Sequence, residues 1–300
     1  MRSAILSLDG ELSLQLFDRL KAAGWSVRER DGTDPELIEP DGCVHAAWRT
    51  GYPYAEKLDA ADYAASEARL LGRLGALMDA SAAAGRRCVV VVEGPDAAGK
   101  SGFVRRLARV GGGAGPAVVR MPPLAERGDD YLAVYRRAID RSTGLQLFDR
   151  SWYRRPVLEV VMGYCDPAEA AEEVLERVVR FEESLCRSGV ELVKCWLDLS
   201  RAEQAARLAV RRLHPRLRHT LSEHDIAAWN RWDDLAAARD AALKMTDRPG
   251  ASWMVVQAND KKRARIALMQ HVLRTLAFDG CDGDLVGSPD PAICASSPHR

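Results

Sequence analysis

The chain has 300 residues, of which 47% are hydrophobic and 29% charged, enough to bury one large core, as a single domain or a domain with extensions. Lys plus Arg and Asp plus Glu number 43 each, so bulk charge gives no reason to expect a nucleic-acid or membrane-surface binder. No apolar run reaches bilayer length, Asp9 and Glu11 come too early for a signal-peptide core, and the seven cysteines form no C-x-x-C pair, which points to a cytoplasmic protein with reduced thiols.

Residues 1–53 mix short apolar stretches with the turn formers Asp31-Gly32 and Pro40-Asp41-Gly42, and suggest no chemistry of their own. From about residue 54 to 278 strand and helix patterns alternate. The spacing of Leu70, Leu71, Leu74 and Leu77 predicts a helix over 63–84. Strands are predicted at 88–92, 117–121, 145–149, 190–199 and 252–257, from their short apolar, β-branched runs. Helices are predicted at 99–110, 129–141, 168–188, 201–212, 227–245 and 261–276. Residues 279–300 are rich in Gly, Ser, Pro and Asp and are expected to form a loose tail. Alternation of this kind implies parallel βαβ units, an α/β class with helices on both faces of the sheet, and a ligand site beyond the carboxyl ends of the strands.

That is where the motifs fall. After the valine run comes Gly94-Pro95-Asp96-Ala97-Ala98-Gly99-Lys100-Ser101, a complete G-x-x-x-x-G-K-[ST] phosphate loop between a strand and a helix. Gly94 and Gly99 let the backbone curl, so that N–H groups through Ala97, Ala98 and Gly102 face one anion, helped by the helix N-terminus. Lys100 adds a mobile positive charge, and Ser101 offers a hydroxyl to magnesium. Asp96 is an acid inside an anion cradle, and its Coulomb cost argues for a metal-binding or catalytic role over a mere turn cap.

A second acid, Asp149, ends the apolar stretch Leu147-Phe148. A carboxylate at the tip of a strand beside the loop strand is the arrangement that holds magnesium in phosphate-loop enzymes. Arg150, next to it, has the fork that grips phosphate oxygens. From Arg207 to Ser222 no acidic residue occurs, while Arg207, Arg211, Arg216 and Arg218 do, and Pro215 interrupts the helix. This segment, about 207–225, is expected to be a phosphate-gripping helical lid. Lys261-Lys262-Arg263 opens the last helix against its dipole, a placement that fits anion contact and a solvated surface equally.

The stretches 93–102, 148–153 and 161–165, with Arg231-Trp232-Asp233-Asp234 and Asp260-Lys261-Lys262-Arg263, resemble polyphosphate kinase family 2 over about residues 54–278. The resemblance implies a P-loop kinase-like, three-layer fold with a parallel sheet of about five strands and a lid. It implies magnesium-dependent phosphoryl transfer, with manganese as a substitute, between inorganic polyphosphate and a nucleoside mono- or diphosphate. It further implies catalytic or metal-binding roles for Asp96, Lys100, Asp149 and Arg150, a match of Arg207 and Arg211 to arginines ahead of the lid, and assembly as dimers or tetramers. The sequence departs from the family at Leu217-Arg218-His219-Thr220, where two lysines and a tryptophan are usual, at Pro123, where a lysine is common, and at Ser101, where glycine is typical. An ATP-dependent kinase and a catalytically weakened polyphosphate- or nucleotide-binding protein are the alternatives.

Overall fold

The computed structural model describes residues 11–29, 34–110, 116–119, 130–165, 171–279 and 282–296. Ahead of the main sheet come α1 (Leu14–Ala22), capped by the Ser13 hydroxyl, and a small antiparallel pair, β1 (Ser26–Arg28) and β2 (Glu36–Ile38). Next is α2 (Ala60–Ala83), started by Asp59, whose carboxylate accepts from the Ala61 and Asp62 N–H groups. Strands and helices then alternate: β3 (Arg87–Glu93), α3 (Lys100–Leu107), β4 (Ala117–Val119), α4 (Tyr131–Asp140), β5 (Gly144–Asp149), α5 (Ala171–Arg187), β6 (Val190–Asp198) and α6 (Arg201–Leu213). The chain continues with α7 (Glu223–Asn230), α8 (Trp232–Thr246), β7 (Trp253–Gln257), α9 (Lys261–Thr275), α10 (Gly283–Val286) and β8 (Cys294–Ser296).

The main sheet has the order β4-β5-β3-β6-β7-β8, parallel throughout except for the antiparallel β8. The period-2 geometry of a strand sorts the valine run onto two faces. Cys88, Val90 and Val92 join one core with α2 and α9, while Val89 and Val91 join the other with α4, α5 and α8. Both faces of β3 are therefore dry, which is why its sequence reads as a continuous apolar run rather than an alternation.

The five parallel strands match the expected number, and the antiparallel β8 covers the outer edge of β7. Two expectations are corrected. Residues 282–296 of the tail, though polar in composition, are held by a few apolar anchors: Val286, Ile293 and Cys294 are buried against the α2–α9 core, and Ile293 O accepts from Gln257 N at 2.8 Å. The single helix predicted at 227–245 is two helices. A Ser222–Asp225 capping box starts α7 early, and the junction is pinned from outside. Asn230 bonds both backbone groups of Leu12, and the Arg231 guanidinium reaches Val161 O. The predicted strand residues 120–121, the position of Pro123 and the turn at 31–32 lie outside the described residues.

Residues 11–29 and 34–58 form a layer over α6. Phe17, Leu20 and Trp25 are buried against Ala205, Ala209 and Trp229. At about 1.5–3 kcal/mol for each large apolar side chain, this contact outweighs the partly exposed Arg212–Asp18 pair, a type that contributes at most about 1 kcal/mol. The basic start of α9 is absorbed by the same layer. Asp34 takes a bidentate fork from Arg265 and an ion pair from Lys261, Lys262 donates to Leu58 O, and Arg263 lies 4.0 Å from the Tyr54 ring centroid. Burial acts to raise the Asp34 pKa, but Lys261 and Arg265 outweigh it and hold the carboxyl well below the usual range. The anion that meets this helix start is the chain's own carboxylate.

Candidate active site

The loop between β3 and α3 is bent at three positions. Gly94 has φ +140°, Ala97 φ +65° and Gly99, the N-cap of α3, φ +111°. Gly94 is the most constrained, because a Cβ there would lie 2.4 Å from the carbonyl oxygen of Leu197 in β6. Backbone stands on both sides of that contact, so a methyl group must push the loop away from the sheet. Gly94→Ala is expected to cut any loop-dependent activity roughly 100-fold, since a displacement of about 1 Å in a positioned site has that effect. Steady-state rates beside the thermal unfolding midpoint check this.

β5 pairs in parallel with β3 in a register that sets Asp149 opposite Val92. Asp149 thus stands at the level of the residue before Glu93, beside the loop's entry. Arg150 follows with φ +68°, a conformation that costs a non-glycine residue strain and turns its side chain back across the loop, where its guanidinium pairs with Asp96. Lys100 is buried and donates from Nζ to the carbonyls of Gly94 at 2.6 Å and Pro95 at 2.7 Å. Burial, then the neighbouring Arg150, pull its pKa down to about 8, against Asp96, Glu93 and Asp149. For Asp96, burial works upward, but Arg150, Lys100 and Arg211 outweigh it and keep the carboxyl below its ordinary value. The site is therefore a compact set of opposed charges in which Asp96 stays ionised.

Some of the supporting residues went unrecognised in the sequence. Glu93, the last residue of β3, is buried, and its carboxylate accepts from the Ser151 N–H and, at 2.8 Å, from the Ser151 hydroxyl. It ties the residue after Arg150 to the residue before Gly94. Burial pushes its pKa up. Gln204 donates to Asp96 O at 3.0 Å. The acid that closes the valine run was the available signal for Glu93; Gln204 gave none.

The basic segment is divided by the fold. Arg207 belongs to α6 and is buried. Its guanidinium donates to Ala97 O, Ala98 O, Ala258 O and Asn259 O, and its Nε to Glu203. It grips the loop backbone, a correction to the phosphate-gripping role expected of it, because no guanidinium hydrogen is left for a ligand. Arg216 pairs with Glu29 of the N-terminal layer, and Arg218 is exposed. Arg211 acts electrostatically on Asp96 and is held at 3.3 Å by Asp225. Ser101 is exposed in the first turn of α3 and Gly102 follows it.

Beside the loop opens a cavity lined by Glu93, Gly94, Asp96 and Arg150, by the apolar and aromatic Leu158, Trp196, Trp232 and Leu235, and by the charged Asp198 and Arg239. Charged groups beside apolar and aromatic side chains suit a ligand that carries both phosphates and a flat ring.

The model of the family described as polyphosphate kinase 2 matches residues 57–282. The chain belongs to the polyphosphate kinase 2 family. A GDP-polyphosphate phosphotransferase of Mycolicibacterium smegmatis is 41% identical over 276 residues, 91% of this chain and 97% of the relative. An ADP-polyphosphate phosphotransferase of Rhizobium meliloti is 36% identical over 277 residues, 89% of each chain. The crystal structure of polyphosphate kinase 2 from Arthrobacter aurescens TC1 superposes with a TM-score of 0.66 at 29% identity, covering 83% of this chain and 87% of that one. The layered fold is thus the polyphosphate kinase 2 fold, and the α/β class read from the sequence holds.

Proposed function

We propose that the protein transfers a phosphoryl group between inorganic polyphosphate and a nucleoside mono- or diphosphate with magnesium as the cation. The observation that carries this reading is the convergence of Lys100, Asp96, Arg150 and the β5 end at Asp149 on one glycine-bounded loop. The names of the relatives, GDP- and ADP-polyphosphate phosphotransferases, support the substrate pair.

The donor set suits magnesium, which takes one or two carboxylates and completes its shell with water and substrate phosphates. Among the described residues no group of three or more His, Cys, Asp or Glu could hold a metal unaided, so Asp96, Asp149 and the Ser101 hydroxyl would hold the ion together with the phosphates. When bound, the cation neutralises phosphate charge. The chain's own groups do the rest. Loop N–H groups and Lys100 bind the phosphate chain, and Arg150 and Arg211 balance the equatorial oxygens as the phosphoryl group moves in line. The bond from the terminal phosphorus to its bridging oxygen breaks. A new one forms to a terminal oxygen of the nucleotide, and the polymer leaves shorter by one unit. The nucleoside occupies the apolar-walled cavity.

An assay with polyphosphate, magnesium and a panel of nucleoside mono- and diphosphates, without ATP, tests the reading. Formation of a longer nucleotide supports it. Phosphorylation that proceeds only with ATP would replace it with an ordinary kinase. The Lys100 environment adds a pH signature. Its ammonium is intact below about 8 and is lost above, so kcat/KM is expected to fall as pH rises through about 8. Bound phosphate favours the charged form, so the same limb in kcat lies at higher pH. In this reading the protein is cytoplasmic and assembles as a dimer or tetramer, which light scattering checks. Among the described residues no helix is long and apolar enough to cross a membrane.

A further inference from the structure

Lys194 is a charge at a position where a central strand demands an apolar side chain. It lies in β6 on the face that carries Leu192 and Trp196, and it is fully buried. Its Nζ donates to Glu182 Oε2 at 2.7 Å, to Thr246 O at 2.7 Å and to Tyr153 Oη at 3.1 Å, which uses all three ammonium hydrogens. Glu182, from α5, is buried too, and its other oxygen accepts from Trp152 Nε1 at 2.9 Å and Tyr153 Oη at 2.6 Å.

Such a pair is weak evidence for stability, since apolar residues of similar volume commonly serve a buried site as well or better. What apolar residues lack is a directional acceptor at a fixed point. The two groups that Glu182 anchors are the second and third residues after Arg150. Arg150 has φ +68°, a backbone state that persists only when its surroundings impose it. Glu93 holds Ser151 on the side of the loop, and Glu182 holds Trp152 and Tyr153 on the side of α5.

We infer that Glu182, with its charge balanced by Lys194, is a positioning residue that fixes Asp149 and Arg150 for phosphoryl transfer through its bonds to Trp152 and Tyr153. This rests on the transfer reaction proposed above. It assigns the pair a role in the rate of the chemical step rather than in substrate binding, because neither residue lines the cavity beside the loop.

Two double variants of the full chain test it, each removing both charges so that none is left buried alone. Glu182→Gln/Lys194→Met keeps an amide oxygen for Trp152 and Tyr153, and Glu182→Leu/Lys194→Met keeps only volume. Both are measured by steady-state kinetics with polyphosphate, nucleotide and magnesium, and by thermal unfolding. The Leu/Met variant leaves the Trp152 and Tyr153 donors unpaired, so it is expected to unfold below the wild-type temperature, and to lose about tenfold or more in kcat with KM within about threefold. The Gln/Met variant is expected to recover most of the loss. Wild-type kcat in the Leu/Met variant overturns the inference, and so does an equal loss in both. Should the Leu/Met variant not fold, Tyr153→Phe decides, since it deletes one hydroxyl and leaves the ion pair. A several-fold loss of kcat at constant KM supports the role, and an unchanged kcat refutes it. Failure of the parent reading shows in the wild type alone, whereas failure of this inference shows in the ratios between variants.

Discussion

Lys100→Ala is expected to lower transfer roughly 1000-fold or more while the protein keeps its fold, because a positioned cation at a developing phosphoryl charge contributes on that scale. The two halves of this expectation have separate grounds. For activity, Lys100 is the ammonium that the loop encloses, and its charge stands against Asp96, Glu93 and Asp149. Removing it takes away a cation that offsets nearby acids before an incoming polyanion, so binding and chemistry both suffer. For stability, the lysine is a burdened residue. Burial lowers its pKa to about 8, which means that the folded state disfavours its charge. The variant loses two bonds to loop carbonyls but is relieved of that desolvation, and the opposing effects leave the unfolding temperature near that of the wild type. Turnover and circular dichroism on the same preparation check both halves. Retention of more than about a tenth of the wild-type rate would remove Lys100 from the mechanism.

The parts of this site that were legible in the sequence are those fixed by local backbone chemistry. Gly94 and Gly99 announce a curled loop because few other residues tolerate its torsions, and Asp149 announces itself by ending an apolar strand. The βαβ alternation gave the layered fold for a similar reason, since each strand and helix shows its period within a dozen residues. The N-terminal layer was silent because β1 and β2 are three residues each and its adhesion depends on Phe17 and Trp25 meeting α6 nearly 200 positions away. Arg207 is ambiguous in the sequence for a further reason. An arginine in a charge run looks the same whether its donors face a phosphate or the carbonyls behind a phosphate loop, and only the packing of α6 against that loop decides. The two readings of the α9 start stood level for the same reason, until Asp34 met Lys261 and Arg265.

Asp149→Asn and Asp96→Asn are each expected to lower kcat by about two to four orders of magnitude and to raise the magnesium concentration needed for half-maximal rate. The pair separates two roles for Asp96 that its geometry combines. Its carboxylate holds the Arg150 guanidinium, and it stays ionised in a buried place beside Lys100. An acid that served only to anchor Arg150 could be replaced by an amide at the cost of a misplaced arginine. The rate would fall, but the magnesium requirement would not move. An acid that faces the cation loses part of the ion's shell on the same substitution, so the requirement rises, by about tenfold for one lost charged ligand. Asp149 serves as the reference for a metal effect. If both acids share one cation, the double substitution should cost little more than the worse single one, because the second change acts on a site already stripped of its ion. Additive losses with an unshifted magnesium curve for Asp96→Asn would leave Asp149 as the sole carboxylate for the metal and give Asp96 to Arg150. Phosphoryl transfer in this chain would then rely on an arginine aimed by an acid within the loop itself.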